Sequence, residues 1–109
     1  MSDCFHTQRD GACLLHARRV PVRWDVEARA VFPDGARGRL AAQVRQDMWR
    51  ALRRLRGFAP AVEVVRRDGV LHLRAGGQVA GSVPPGTVER IADLLASRAH
   101  RARWVRGAR

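Results

Sequence analysis

Between residues 20 and 32 every second side chain is apolar: Val20, Val22, Trp24, Val26, Ala28, Ala30 and Phe32, with Arg23, Asp25, Glu27 and Arg29 among the residues between them. Seven alternations in step fit a strand with one buried face, because successive side chains on a pleated backbone point to opposite sides. Such a strand is not stable alone; it needs neighbours to pair with and apolar side chains to cover its inner face. Pro33-Asp34-Gly35 ends it with turn residues.

The rest of the chain supplies both. Over residues 36–57, Leu40, Val44, Met48, Ala51, Leu52 and Leu55 recur at spacings of three and four, which predicts a helix with one apolar stripe. Gly57 suits its C-terminal cap, and Pro60 bars continuation. Two apolar runs then flank Asp68-Gly69, a favoured two-residue hairpin turn. That turn sets Glu63 opposite Arg74 and Val64 opposite Leu73, with Val62, Val64, Leu71, Leu73 and Ala75 on the buried face. Gly76-Gly77 reads as a second turn into a short strand at Gln78-Val79-Ala80. Pro84-Pro85-Gly86 precedes a second helix with Thr87 as N-cap and Val88, Ile91, Leu95 and Ala99 turned inward.

The expected architecture is α+β: a β-α-β-β-β-α two-layer sandwich, an antiparallel sheet with helices on one face. Residues 20–100 form the domain, 1–19 an N-terminal arm or irregular segment with a short strand near Cys13-Leu14-Leu15, and 101–109 a basic C-terminal tail. The same element order occurs in ribosome hibernation-promoting factors and, without its first strand, in double-stranded-RNA-binding domains. That likeness is of order alone, since none of their sequence motifs is present. The first strand is a candidate sheet edge, and an uncovered edge invites pairing with a second copy, hence a homodimer.

Charge points to a partner. All 21 basic residues are arginine, and the net charge is +11. The excess is uneven: residues 1–35 hold five arginines and five acids, and residues 36–109 hold sixteen arginines and five acids. A field of one sign on a small protein attracts polyanions. In the first helix Arg39, Arg45, Arg50, Arg53, Arg54 and Arg56 share the polar face, and Asp47 is the one acid. Arg50 and Arg54 repel at i,i+4, a small cost that a polyanion relieves. Trp49 falls near Arg45, Arg53 and Arg56 on the helical projection, where an indole stacks on an unpaired base while guanidinium groups contact phosphates. The tail repeats the theme with Arg101, Arg103 and Arg106 around Trp104, which either stacks on a base with them or anchors the last helical turn to the core, as a helix end requires. The function expected is that of a nucleic-acid-binding accessory protein, RNA or a ribonucleoprotein preferred over duplex DNA. The rival reading is an interaction module or regulatory subunit docking on an acidic protein, with Trp49 as its anchor.

Other chemistry finds less support. Cys4, His6, Cys13 and His16 are all zinc-ligand types, but their spacing matches no standard finger, and a domain with its own core needs no metal to fold. Asp25 and Glu27 alternate with arginines, as on a charge-balanced strand face; His72 has no nucleophile partner in sequence; the glycines at 76, 77, 81 and 86 match no phosphate loop. No enzyme activity and no cofactor are expected. No apolar run reaches the roughly 18 residues of a membrane span. The N-terminus lacks a secretory pattern, so a cytoplasmic protein with reduced thiols is expected.

Overall fold

The computed structural model describes residues 5–109. Eight elements follow one another: β1 (His6–Asp10), β2 (Cys13–Ala17), β3 (Val26–Pro33), α1 (Arg37–Leu52), β4 (Ala59–Arg67), β5 (Val70–Gln78), α2 (Thr87–Ala96) and α3 (Arg98–Gly107). The strands form one antiparallel sheet in the order β1-β2-β4-β5-β3. The helices cover one of its faces: α1 lies on β2 and β4, α2 on β3, and α3 packs against both helices. This is the α+β sandwich that the alternating and helical apolar patterns require.

The β4–β5 hairpin forms as its sequence dictates. Asp68 and Gly69 both take positive φ, 53° and 77°, in the two-residue turn. Glu63 pairs with Arg74 and Val64 with Leu73. Val62, Val64, Leu71, Leu73 and Ala75 are fully buried beneath the helices. β3 adds Val26 and Phe32 to the same face, with Ala28 and Ala30 packed against the core, and α1 closes it with Leu40, Val44, Met48 and Leu52.

Several boundaries differ from expectation. Residues 6–17 are not an irregular arm: the short strand expected near Cys13-Leu14-Leu15 is β2, and it pairs with β1 in a hairpin that extends the sheet past β4. The strand expected from residue 20 begins at Val26. Trp24 does not continue its inward alternation; its ring lies under the Arg74 guanidinium, 4.0 Å away, on the face without helices. α1 stops at Leu52, and residues 53–58 reverse the chain through bonds from the Leu55 N–H to Leu52 O and from the Phe58 N–H to Leu55 O. Gly57, at φ 66°, completes that reversal.

Gly76 and Gly77 make no turn and Gln78–Ala80 no third hairpin strand; both glycines lie inside β5. A Cβ on Gly76 would stand 2.0 Å from Val26 O, and one on Gly77 2.1 Å from Ala59 O. They are glycine because β3 and β4 approach β5 closely there. The second helix is two helices. Ser97 breaks it with an extended backbone and caps α3, its Oγ accepting from the His100 N–H. Gly86 caps α2 in place of Thr87, which is buried and donates from Oγ1 to Pro84 O; Val88 and Ala99 face solvent. The order β-β-β-α-β-β-α-α therefore departs from the element order that suggested hibernation factors and double-stranded-RNA-binding domains.

Candidate nucleic-acid interface

The arginines expected along one helix face do not form one surface. Arg39 donates to Arg109 O at 3.2 Å. Arg45 turns toward the β1–β2 hairpin, its guanidinium 4.2 Å over the Phe5 ring and its Nε donating to His16 Nε2. Arg50 lies 3.7 Å from Asp47. Arg53, Arg54 and Arg56 fall beyond the helical residues, in the reversal between α1 and β4. The continuous stripe is broken because the helix ends early and each remaining arginine has its own local partner: a carbonyl for Arg39, rings for Arg45 and a carboxylate for Arg50.

A denser cluster replaces it at the C-terminal end of α1. Trp49 is 40% exposed there, an unusual setting for so large a ring, with its plane 9° from that of buried Phe58. Beside it opens a surface cavity of about 590 Å³ whose walls carry Arg18, Arg19, Arg53, Arg54 and Arg56. Arg53 and Arg54 also line the adjoining depression with Arg50 and Arg90, so the positive surface continues toward α2. Among the described residues, no carboxylate lies within ion-pair distance of Arg19, Arg53, Arg54 or Arg56. Five guanidinium groups beside an accessible indole have the chemistry to hold phosphates and a planar ring at one place.

Arg18 and Arg19 belong to this cluster, yet sequence reasoning assigned them to an arm. The signal available was their adjacency; what was missing was the hairpin that carries them past β4 to Trp49, through the Arg18 N–H bond to Pro60 O.

The C-terminal tail is corrected most. Trp104 is wholly buried, edge-on to Phe32, and its indole Nε1 donates to Asp47 Oδ2 at 2.7 Å. A ring with no exposed face cannot stack on a base. Arg103 donates to the same Asp47 oxygen at 2.6 Å, and Arg101 packs 4.1 Å over Phe32 while donating to Val31 O and Leu95 O. Both hold α3 in place. Arg106 is exposed on α3, away from Trp49's cavity.

The remaining candidates disperse. Cys4 lies outside the described residues. Cys13 and His16 point to opposite faces of β2, and His6 pairs with Ala17 at the far end from Cys13. Burial, aided by Arg45, holds the His16 pKa below its usual value, consistent with a neutral ring accepting from Arg45. Asp25 is held below the usual carboxylate range by the hydrogen bond from Arg23 and by the Val79 N–H, so it closes the end of the sheet. Glu27 pairs with Arg29 and Arg74 on the open sheet face, where His72 also lies. β3 is a sheet edge, though Arg101 already occupies Val31 O on it. No helix among the described residues is long and apolar enough to cross a membrane.

The fold and this site define a small basic α+β sandwich with an aromatic-bearing arginine cluster at one end. Comparison with known protein families, curated proteins and solved structures finds no match.

Proposed function

We propose that this protein is a nucleic-acid-binding accessory protein, non-enzymatic and cytoplasmic, with RNA or a ribonucleoprotein as its preferred partner. The observation that carries the reading is exposed Trp49 in a cavity walled by Arg18, Arg19, Arg53, Arg54 and Arg56. The guanidinium groups contact phosphates, which positions the partner without choosing its sequence. The indole supplies a stacking platform for an unpaired base, a contact indifferent to base identity. Asp47 draws Arg103 into a close ion pair and lies 3.7 Å from the exposed Arg50, so less of the net charge is free for a partner than the arginine count suggests.

The test is a salt titration of the purified protein against single-stranded RNA, double-stranded RNA and duplex DNA. Affinity falls steeply and log-linearly with salt, because neutralised phosphates release counterions. Absence of binding to all three at low salt ends the proposal. Pull-down from the native cells discriminates the rival reading: nucleic acid in the eluate supports the proposal, and one defined acidic protein without nucleic acid replaces it with a docking module.

A further inference from the structure

We infer that the Trp49 cluster is one end of a longer track, along which single-stranded nucleic acid lies in the seam between α1 and the β1–β2 hairpin as far as Arg9. The inference rests on the nucleic-acid reading and gives that site an extent and a strandedness. Register sets one bank. Arg9 pairs with Leu14 and Thr7 with His16, and Leu14 lies in the core beneath the helices, so alternation turns Thr7 and Arg9 to the helix side of β1. Phe5 joins that row by stacking on His16, ring centroids 5.2 Å apart. α1 sets the other bank. Arg9 reaches it at Gly38, where a Cβ would stand 3.2 Å from Arg9 Nη2. Arg45 meets Phe5 and His16 midway, and Trp49 meets Arg18 and Arg19 at the far end.

β1 thus runs antiparallel to α1, and cationic and aromatic groups alternate along their seam: Arg9, then Phe5 with Arg45, then Trp49 with its arginines. Among the described residues neither bank carries a carboxylate; Asp10 lies on the other side of β1 and Asp47 is buried toward α3. From Gly38 to Arg53 the helix and its first following residue span about 22 Å at 1.5 Å per residue. A stacked strand advancing about 3.4 Å per nucleotide covers that distance with about six nucleotides. Single strands fit the chemistry because a duplex hides its base faces, leaving nothing for the exposed Trp49 ring to stack on.

The experiment measures anisotropy of labelled single strands about eight nucleotides long, longer than the estimated track, in ribo and deoxy forms, with a duplex and a competing dinucleotide alongside. Arg9→Glu is compared with Arg67→Glu, which changes the same charge on the helix-free face; circular dichroism verifies both folds. The track predicts that Arg9→Glu weakens the longer strand about tenfold, well beyond Arg67→Glu, and flattens the log–log salt slope by about 0.7. It also predicts that the dinucleotide, confined to the Trp49 end, competes with the same inhibition constant on the wild type and Arg9→Glu. Equal effects of the two variants, or equal affinity for duplex and single strand, overturn the track. If Trp49→Ala still weakens binding, the smaller Trp49 site survives that result; if no nucleic acid binds the wild type, both readings fall. Comparing ribo and deoxy strands identifies which sugar the track accepts.

Discussion

Asp47 Oδ2 accepts from both the Trp104 indole and the Arg103 guanidinium, at 2.7 and 2.6 Å, joining α1 to α3 inside the protein. The lone acid of α1 is therefore an internal tie rather than a surface neutraliser, 6% exposed. Asp47→Ala leaves a buried N–H with no acceptor and Arg103 without its partner. A cost of about 3 kcal/mol is expected, a large fraction of the stability of a domain this size. Asp47→Asn retains an acceptor and costs less. Urea midpoints of the two variants against the wild type check the ranking; equal midpoints refute it.

The same carboxylate makes stability depend on pH. Burial pushes its pKa up, but the hydrogen bonds from Trp104 and Arg103, with the charges of Arg103 and His100, outweigh burial and hold it below the usual range. A depressed folded-state pKa means that the unfolded chain binds the proton more readily. The contribution is complete above the ordinary carboxylate range and is lost as pH falls through the depressed value. The stability gap between wild type and Asp47→Asn is widest near neutrality and narrows in acid. Denaturant melts at a series of pH values measure it, and a gap unchanged by acid contradicts the assignment.

Gly76 and Gly77 show where sequence reading of the fold stopped. Periodicity revealed the β4–β5 hairpin because its turn chemistry and alternation are local. A Gly-Gly pair has the same local signature whether it turns the chain or admits a neighbouring backbone, and only the positions of β3 and β4 decide. Gly76→Ala drives a methyl into Val26 O, and Gly77→Ala strains a φ of 139° as well as meeting Ala59 O. Each destabilises by more than about 2 kcal/mol. Gly69→Ala, with open space around its Cβ, pays only for its positive φ of 77°. Thermal midpoints should rank Gly69→Ala closest to wild type; a neutral Gly76→Ala would refute the close approach.

The candidate site was half legible for a related reason. Trp49, Arg53 and Arg56 are near in sequence, so a helical projection found them together, but it set Arg54 elsewhere on the polar face and wrongly added Arg45, which turns to Phe5. Arg18 and Arg19 come from a hairpin with exposed β1 on its outer side, and five exposed residues carry no apolar period to announce a strand. Trp104 stayed open between stacking and anchoring because a buried indole among arginines looks in sequence like an exposed one; the structure makes it the anchor. Its acceptor, Asp47, lies 57 positions away.

Trp49 provides the most direct test of the binding surface. The protein has three tryptophans; Trp104 is sealed in the core, Trp24 is covered by Arg74, and Trp49 alone combines 40% exposure with the arginine-walled cavity. Single-stranded nucleic acid therefore quenches mainly Trp49 fluorescence, and Trp49→Phe removes most of the quenching. Stacking on an aromatic ring is worth about 1–3 kcal/mol per base, so Trp49→Ala weakens binding by roughly fivefold to more than a hundredfold. Trp49→Phe keeps a ring against Phe58 and loses less affinity. The salt slope separates this loss from an electrostatic one: a stacking contact releases no counterions, so Trp49→Ala lowers affinity by a constant factor at every salt concentration. Arg54→Ala instead flattens the slope. If Trp49→Ala changes the slope, or if quenching persists in Trp49→Phe, the indole is not where the base stacks.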